Sequence, residues 1–531
     1  MSWNYERSLK RTQDKYAETE GLTVTPVTKK LDFDNISLKE PRRVRAAHFY
    51  VDVRNFTALL SIDPEADADE DMLRLLHLYA REITRVVEHD LEATKVHFQG
   101  AKLHALAYRP IGDDVAMVAK AVLAAAAVRA TTVVFNDVFE LRGTDAWQTA
   151  GGVDFGDAVA TKNGTGGDRE LLFLGRPANQ AAKIIKTGLR LTDEVVDLLP
   201  DTFDDYLSRS SDDRCWCFAP STGALEQLIT DSGYSWSQAQ TRKRPEEAAE
   251  KYPPGTATVF EATGPISKDT LGLSNSKRVD AGSLFADVDG FTHYVDQAAA
   301  LDEDLVEPVR AWHVIRSEMR ATAVLDYEAL RVQYQGDRMQ ALGYLPLGDE
   351  GSAAVRAVRI AAALTSAVRY VLPQVVGSAA KPLAIGLAAG TTLVSKLGEH
   401  GNRDVVCLGS ATVEAARIQV GLDGNQIGLD AELYKRLPEW LQELFTWQQS
   451  PGAYVATDLT FWMSSTGRRQ RRPKAAPRGS SLAPWLVRLQ SGSGPRSSIA
   501  AVSVPCGRGT PDAAREGQAA VRRASGLPGP P

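Results

Sequence analysis

Cysteine is scarce in this sequence, with four residues in a chain of 531, at positions 215, 217, 407 and 506. Their spacing matches neither a paired zinc motif nor a disulfide framework, so we expect packed or free thiols in a reducing compartment. The CWC segment that contains Cys215 and Cys217 leaves metal binding open as a second interpretation. The predicted location is therefore the cytoplasm.

Long apolar runs and a strong net charge are also missing. The longest small-apolar stretch, residues 121–135, contains Arg129 and is too short for a membrane span, so it predicts a buried helix. The polar start of the chain lacks the apolar core of a secretory signal. A formal net charge of −6 gives no general attraction to polyanions. We expect a globular protein with no membrane span and no stable nucleic-acid partner.

An internal repeat is present. Three segments occur twice at a nearly constant separation, which indicates two copies of one domain. The aligned pairs are HFYVDVRNFTALL at residues 48–60 with SLFADVDGFTHYV at 283–295, VHFQGAKLHAL at 96–106 with VQYQGDRMQAL at 332–342, and LLFLGRPANQAAKI at 171–184 with VVCLGSATVEAARI at 405–418.

Each copy has the pattern of strands and helices in mixed order. In the first copy we expect a strand at residues 46–53, helices near 72–88 and 115–135, a hairpin at 95–108, and a second hairpin at 151–161. This order predicts an α+β fold with a largely antiparallel sheet in each copy.

The repeat and the changes of composition along the chain together predict five segments. They are an N-terminal extension at residues 1–42, a first domain at 43–207, an insert or linker at 208–277, a second domain at 278–463 and a basic tail at 464–531. The tail is rich in Arg, Gly, Pro and Ser and poor in aliphatic residues, so it is predicted to be disordered. Contact of the tail with nucleic acid or acidic lipid is the other interpretation.

The two copies differ at residues that carry chemistry. Asp337 follows the hairpin glycine of the second copy, whereas the first copy has Ala101 there. Asp287 ends an apolar strand just before a helix start. A turn residue and a helix cap are the simpler interpretations of these two carboxylates. Their joint occurrence in a repeat favours a metal-dependent phosphoryl-transfer centre, with free N–H groups from Val288 to Thr292 holding phosphate oxygens.

FADVDGFT, the QGD hairpin and the LGxxxxxAAR segment resemble the catalytic domain of class III nucleotide cyclases, over residues 43–185 and 278–418. The resemblance implies two tandem ferredoxin-like domains that form an intramolecular pseudo-dimer. A homodimer that pairs domains between chains is the alternative. It also implies two divalent cations, Mn²⁺ or Mg²⁺, and phosphate contacts from Gly290, Phe291 and Thr292.

By this resemblance, Asp287 and Asp337 bind metal, while Asn179 and Lys183 of the first copy contact the ribose and phosphates. Lys183 stands where the family has arginine, and it supplies a point charge rather than a bidentate fork. The other pairing is incomplete on both sides, so one working site is predicted. That second pairing joins Asp52 and Ala101 to Val413 and Arg417.

The base-reading positions of the family hold His97 and Leu172, which match neither the adenylate nor the guanylate pattern. MSWNYERS, KYAETEGLTVTPV, LDFDNI and HFYVDVRN resemble the pyrimidine cyclases of the Pycsar anti-phage system. That resemblance implies a small base pocket shaped by Tyr50 and Lys102. A half-buried strand aromatic and an ordinary strand histidine are the other interpretations of Tyr50 and His97.

The resemblance implies a pyrimidine nucleotide cyclase that forms cyclic UMP from UTP, with CTP as the other pyrimidine substrate. It also implies a second messenger of anti-phage defence that acts on a separate effector. Two further functions are open. One is an adenylate or guanylate cyclase with an altered base pocket; the other is a non-catalytic nucleotide-binding sensor, which Lys183 and Ala101 favour.

Overall fold

The structure of the chain is a computed structural model that describes residues 2–56, 68–163, 170–212, 214–300, 305–399 and 401–466. Residues 467–531, most of the predicted tail, lie outside the described residues, as does the cysteine at position 506. We call residues 2–231 half 1 and residues 238–466 half 2.

The described elements of half 1 follow a mixed order of helices and strands. They are α1 (Tyr5–Glu18), β1 (Thr25–Pro26), β2 (Arg42–Val53), α2 (Ala68–Arg85), β3 (Thr94–Gln99), β4 (Lys102–Ala107), α3 (Asp114–Val138), β5 (Thr149–Asn163), β6 (Glu170–Leu174), α4 (Arg176–Lys183), β7 (Leu189–Leu191), α5 (Asp193–Val196), β8 (Leu207–Arg209), β9 (Trp216–Phe218) and α6 (Thr222–Asp231).

Half 2 repeats this order with additional short helices. Its described elements are α7 (Gln238–Lys251), β10 (Val259–Glu261), β11 (Ser276–Val288), α8 (Phe291–Ala300), α9 (Val306–Arg320), β12 (Leu330–Gln335), β13 (Arg338–Gly343), α10 (Glu350–Ser366), α11 (Pro373–Val376), β14 (Leu383–Glu399), β15 (Asn402–Leu408), α12 (Ser410–Val420), β16 (Gln426–Leu429), α13 (Ala431–Arg436), α14 (Glu439–Gln442), β17 (Thr446–Gln448), β18 (Ala453–Thr457) and α15 (Phe461–Thr466).

Within the described residues each half contains a nine-stranded sheet, and the two sheets have the same topology. The strand order is β3-β4-β2-β5-β7-β9-β8 in half 1 and β12-β13-β11-β14-β16-β18-β17 in half 2, with β1 and β6, or β10 and β15, at the side. The central pairs β2–β5 and β11–β14 are antiparallel, while β5–β7 and β14–β16 are parallel. The prediction of two tandem α+β domains is confirmed.

The second hairpin predicted at residues 151–161 is wrong. These residues lie inside β5, which pairs continuously with β2, and the hairpin partner of β5 is β6. The glycines of this segment have a packing role instead of a turn role. A Cβ atom on Gly152 would lie 2.2 Å from the carbonyl oxygen of Ala181, so α4 rests directly on the strand.

The hydrophobic core of each half lies between its sheet and its long helices. Within the described residues, α3 and the segment Glu350–Ala379 are long and apolar enough to cross a membrane by length and composition. Their most apolar windows are 78% and 61% buried inside the fold. Both are therefore accounted for as core helices, since each packs against the sheet of its own half.

Helices α1 and α7 belong to the repeat as well. Trp3 and Trp236 precede them at equivalent places, and both tryptophans are 2% exposed. Helix α1 packs on α9 of half 2, whereas α7 packs on α2 and α3 of half 1. Each half therefore begins with a helix that lies on the other half. Residues 208–277, predicted as an insert or linker, hold β9, α6, α7 and β10.

We call α1 and α7 the exchanged helices, because each lies on the opposite half. One arginine on each of them binds two buried carboxylates. Arg11 donates to Glu318 and to Asp326, with distances of 2.6 to 3.1 Å. Arg244 donates to Glu82 and Asp90 in a similar way, at 2.6 to 3.2 Å. The matching contacts show that both exchanged helices are held by charge-assisted hydrogen bonds across the halves.

The hairpins β5–β6 and β14–β15 also reach onto the opposite half. Glu170 Oε2 accepts the backbone N–H of Tyr334 at 2.9 Å, and Asp404 Oδ2 accepts that of Phe98 at 3.1 Å. Asp404 further pairs with the buried ammonium of Lys95 at 2.7 Å. The two halves thus contact each other through equivalent residues, as in a symmetric dimer.

Two buried histidines lie under these hairpins. The backbone N–H of Gly398 donates to His77 Nδ1 at 3.3 Å, and His313 Nε2 lies 3.0 Å from Thr161 Oγ1. Burial lowers the pKa of His77 to about 4 and that of His313 to about 3. The cations that face them add to this effect: Arg81 and Arg403 beside His77, and Lys15 and Arg316 beside His313.

We expect the free energy of unfolding to fall as the pH is lowered from about 6.5 toward 4, because His77 and His313 are neutral in the fold and take up protons on unfolding. Each unit of pKa depression corresponds to about 1.4 kcal/mol. Urea unfolding between pH 7.5 and 5 measures the slope. His77→Gln should flatten it, whereas His89→Gln, at an exposed site, should not; equal slopes in all three proteins would contradict the account.

Candidate active site

The two predicted metal carboxylates lie close together in half 2. Asp287 is near the end of β11 and is in register with Arg338 on β13. Asp337 stands in the hairpin turn after Gly336, whose φ of +68° is a conformation that favours glycine. Burial and repulsion from Asp337 raise the pKa of Asp287 to about 7, and burial also raises the pKa of Asp337. Such a pair favours a cationic partner.

A hydrogen-bonded series connects this carboxylate pair to half 1. Asn179 Nδ2 donates to Thr292 Oγ1 at 3.2 Å, and Thr292 Oγ1 donates to Asp337 Oδ2 at 3.0 Å. A Cβ atom on Gly336 would lie 4.0 Å from Asn179 Oδ1. Asn179 therefore stands against the hairpin turn that carries Asp337.

Helix α4 places Lys183 beside the same carboxylates. Lys183 is four residues after Asn179, so both side chains share one face of the helix. Lys183 is exposed. Burial raises the pKa of Asp337 and of Asp296, and the positive charge of Lys183 lowers both in part. The structure brings together Asn179 and Lys183 of half 1 with the aspartates of half 2.

The backbone after Asp287 is only partly free to bind an anion. The N–H of Val288 donates to the carbonyl oxygen of Asp337 at 3.4 Å, and the N–H of Asp289 donates to that of Pro382 at 2.9 Å. The expectation that N–H groups from Val288 onward are free is therefore wrong for the first two residues.

Gly290, Phe291 and Thr292 form the turn and the first residues of α8. Gly290 is exposed and has a φ of +75°. The ring of Phe291 belongs to the core, where it stacks on Trp312 with 4.4 Å between ring centroids. Thr292 directs its hydroxyl to Asp337. The contribution of Phe291 to an anion site would therefore come from its backbone.

Tyr50 and His97 lie on one face of the half 1 sheet, with His104 between them. The rings of Tyr50 and His104 stack with centroids 4.2 Å apart and an interplanar angle of 5°. His97 meets His104 edge to face at 5.3 Å, and its Nε2 lies 2.8 Å from the amide nitrogen of Gln99. The structure places these two predicted base-pocket residues in one aromatic cluster.

Leu172 and Lys102 lie elsewhere. Leu172 is 5% exposed and belongs to a core cluster with Leu284 of half 2, whereas the next residue, Phe173, contacts the histidine cluster. Lys102 Nζ lies 4.0 Å from Asp52 Oδ2. It is thus on the side of the second interface site, the pairing of Asp52 and Ala101 with Val413 and Arg417. Burial lowers the pKa of Lys102.

A cavity of about 1380 Å³ runs between the halves along β3 and β12. His97 and its equivalent Gln333 are among the residues that line it, whereas Asp287 and Asp337 are not. The cavity is therefore a feature of the interface apart from the carboxylate pair.

In the second interface site the charged side chains are paired with other groups of the protein. Asp52 pairs with Arg54 at 3.1 Å, and Ala101 is 3% exposed. Arg417, which stands where half 1 has Lys183, binds Glu414 on its own helix at 2.6 Å and the carbonyl oxygen of Pro451 at 2.6 Å. Both the carboxylate and the arginine of this site are already partnered.

The chemistry of Asp287 and Asp337 fits hard divalent cations, which prefer carboxylate oxygens. Within the described ranges, no group of three or more His, Cys, Asp or Glu side chains could hold a metal ion by itself. An ion held by these two carboxylates would have coordination positions left for other oxygen ligands. The CWC segment, which lies within the described ranges, forms no such group either, and Cys215 and Cys217 are free thiols.

Two residues of this region, Arg338 and His104, were not predicted from the sequence. Arg338 follows Asp337 and places its guanidinium 4.9 Å from the ring of Phe285, and its charge acts on both aspartates. His104 is the neighbour of Tyr50 and His97 in the sheet. Side chains alternate between the two faces of a strand, so the positions of both residues in β4 and β13 after the hairpin glycines could have indicated them.

Two curated proteins named uridylate cyclase are similar to this chain. The one from Pseudomonas aeruginosa is 30% identical over 465 residues, which cover 84% of this chain and 88% of that protein. The one from a Rhizobium species is 31% identical over 428 residues, which cover 76% and 80%. No family model matches the chain.

A solved structure shares the fold of the whole two-half unit. It is a class III adenylyl cyclase-like ATP-binding protein from Pseudomonas aeruginosa, with a TM-score of 0.74 and 27% sequence identity. The match covers 88% of this chain and 100% of the solved chain. The tandem arrangement is thus present in an independently determined structure.

Proposed function

The chain belongs to the uridylate cyclase family, and we propose that it converts UTP to 3′,5′-cyclic UMP and pyrophosphate at a single site shared by its two halves. The observation that carries this proposal is the series Asn179–Thr292–Asp337, which joins the helix of half 1 to the carboxylate pair of half 2. The second interface lacks both ends of this series, since it has Ala101 and Val413 there.

Asp287 and Asp337 are the residues that would hold two divalent cations, Mg²⁺ or Mn²⁺, which when bound lower the pKa of the ribose 3′-hydroxyl and offset phosphate charge. In the reaction a bond forms between the 3′-oxygen and the α-phosphorus. The bond from the α-phosphorus to the bridging oxygen breaks, and pyrophosphate leaves with that electron pair. The hydroxyl proton passes to solvent.

The residues of half 1 position the reacting groups. Asn179 orients the ribose, so its contribution is to hold the 3′-oxygen in line with the α-phosphorus. Lys183 supplies positive charge where negative charge develops on the α-phosphate. Thr292 fixes the orientation of both Asn179 and Asp337 through its hydroxyl. The exposed backbone at Gly290 offers N–H donors to the outer phosphates.

A pyrimidine substrate is supported by the two relatives named uridylate cyclase. Tyr50 and His97 lie on the sheet face on which α4 packs, and the ring of Tyr50 stacks on that of His104. Lys102 and Leu172 remain proposed base-pocket residues on the strength of the family resemblance. CTP shares the one-ring base and is the second pyrimidine candidate.

Two other functions have specific support. The solved structure with the same fold is described as ATP-binding and adenylyl cyclase-like, which favours a purine substrate. Ala101 and the lysine at position 183 favour a nucleotide sensor without turnover. In the proposed biology the enzyme acts in the cytoplasm, and cyclic UMP activates a separate effector in anti-phage defence.

The four nucleoside triphosphates, each incubated with the protein and Mn²⁺ or Mg²⁺, distinguish these functions by mass spectrometry of the products. Cyclic UMP is the expected product. Cyclic CMP alone would replace the substrate assignment, cyclic AMP or GMP would overturn the pyrimidine assignment, and no product from folded protein would favour the sensor.

Asn179→Ala should lower kcat for cyclic UMP formation by about 100-fold, because the ribose loses its positioning contact. The equivalent substitution in the second interface, Val413→Ala, is the matched control and should leave kcat within about threefold of the wild type. Equal losses in the two variants would mean that both interfaces contribute to turnover, and would contradict a single working site.

A further inference from the structure

Three strands of half 1 align a polar aromatic cluster beside the proposed base pocket. His97 on β3 is in register with His104 on β4, and His104 is in register with Tyr50 on β2. Neighbouring residues of adjacent strands in register lie on the same face of a sheet. His104 is therefore the central member of a row whose outer members are two of the four residues assigned to the base pocket.

Tyr50 is held on both sides. One face of its ring stacks on His104, with an angle of 5° between the planes. Around the remainder of the side chain lie Ala150 of β5 and Ala181 and Ile185 of the α4 region, which form one buried cluster with Tyr50. The position of the tyrosine ring is thus fixed between His104 and the helix that carries Asn179.

His104 is itself fixed by a second histidine. His104 Nε2 lies 3.1 Å from His48 Nδ1, and both residues are buried. Burial lowers the pKa of His48 to about 3 and that of His104 well below its ordinary value, so the pair is neutral. A neutral pair shares one proton in this contact, and the outer nitrogens, His48 Nε2 and His104 Nδ1, have no hydrogen-bond partner in the described structure.

Half 2 has none of this cluster, although its backbone is the same. The residues equivalent to those at 48, 50, 97 and 104 are Ser283, Phe285, Gln333 and Gln340. Among the described residues, the stacked cluster therefore occurs only in the half that contributes Asn179 and Lys183. This asymmetry follows the asymmetry of the proposed active site, which a general requirement of the fold would not produce.

We propose that His104 is a positioning residue for base selection: by stacking on Tyr50 and bordering His97, it keeps the pocket closed to two-ring bases. The proposal rests on the proposed function, since it specifies how the same site discriminates its substrate. Tyr50 has other side-chain rotamers open to it on a strand, and removal of the imidazole opens a space into which its ring can turn. The volume given up by Tyr50 then becomes accessible to a purine.

The test compares His104→Ala, which removes the stacking surface, with His104→Phe, which restores it without the hydrogen bond to His48. The first measurement is the ratio of kcat/KM for UTP to kcat/KM for ATP. The second is the ratio of dissociation constants for 3′-deoxy-UTP and 3′-deoxy-ATP, which lack the attacking hydroxyl and report binding without turnover. Gln340→Ala, at the equivalent position of half 2, is the matched control.

We expect His104→Ala to shift both ratios toward the purine by about tenfold, the range of discrimination by shape in a pocket. His104→Phe should stay within about threefold of the wild type, as should Gln340→Ala. His104→Gln, which copies the residue of half 2, should shift the ratios as His104→Ala does and serves as the test if the alanine variant does not fold.

Unchanged ratios in folded His104→Ala and His104→Gln would overturn the proposal, as would an equal loss of discrimination in His104→Phe. A purely structural role would lower affinity for both nucleotides equally and leave the ratios unchanged. A wild type that binds 3′-deoxy-UTP but forms no cyclic product would contradict the proposed function alone, and the binding ratios would still decide the role of His104.

Discussion

Asp337→Asn is expected to reduce cyclic UMP formation by a factor of about 1000 or more, since a metal ion supplies several kcal/mol of charge stabilisation and each 1.4 kcal/mol is about tenfold in rate. Asparagine keeps the shape of the side chain and can still accept the hydrogen bond from Thr292. The variant should therefore fold as the wild type does while its affinity for Mn²⁺ in the presence of 3′-deoxy-UTP falls.

Asp52→Asn is the matched control, because Asp52 is the equivalent of Asp287 in the other interface. Its partners are Arg54 and Lys102, so its carboxylate is already neutralised by protein cations. We expect turnover within about threefold of the wild type. If both asparagine variants lose activity equally, the two interfaces share the catalysis and the assignment of one working site is wrong.

Arg244→Met is expected to lower the free energy of unfolding by about 3–5 kcal/mol, the cost of leaving buried charges without their partner. Arg244 binds Glu82 and Asp90, each 5% exposed, on the opposite half. Methionine keeps much of the apolar stem while it removes the guanidinium. The melting temperature, followed by circular dichroism, should fall by several degrees and α7 should become accessible to proteases.

Arg242→Met provides the comparison on the same helix. Arg242 is 45% exposed and lies 3.6 Å from Asp137, an ion pair at the surface. Such pairs contribute roughly 0–1 kcal/mol. A similar loss of stability in both variants would show that the effect comes from the helix itself. A loss confined to Arg244→Met would show that the exchanged helix is held by its buried ion pairs.

The tandem α+β architecture could be predicted because the repeat is visible in the sequence. The hairpin glycines and the apolar strands around them recur at constant separation, and hydrophobic alternation gives the strands on either side. The resemblance to nucleotide cyclases was confirmed by the uridylate cyclase relatives and by the solved structure.

The course of β5 could not be predicted in the same way. Gly151, Gly152 and Gly156 are typical of turns, yet two of them permit close packing, because a Cβ atom on Gly151 would meet Leu189 at 2.9 Å and one on Gly152 would meet Ala181 at 2.2 Å. Glycine marks either a turn or a close approach, and only the packing of α4 and β7 against β5 distinguishes these cases.

The packing of α1 and α7 on the opposite halves could not be predicted from the sequence either. The two helices share a preceding tryptophan, a polar N-cap and one arginine, which is too little for a repeat search in a polar segment. The partners of Arg11 and Arg244 lie far away along the chain, with separations such as 307 for Glu318 and 162 for Glu82. Long-range ion pairs of this kind leave no local pattern.

In the candidate site, too, some residues could be predicted from the sequence and others could not. Family resemblance gave Asp287, Asp337, Asn179 and Lys183, which the fold brings together, although their catalytic roles stay a prediction. It gave no indication of His104, because that residue acts through its neighbours in the sheet and belongs to no motif. The strand register that joins His97, His104 and Tyr50 is a tertiary property.

The most direct test of a site shared between the halves of one chain is cyclic UMP formation by Asn179→Ala, by Asp337→Asn and by their equimolar mixture, after unfolding and refolding together. If the site forms within one chain, the mixture stays as inactive as the single variants while refolded wild type is active. Recovery of a substantial part of the wild-type rate in the mixture would show that halves pair between chains, and would contradict the intramolecular site.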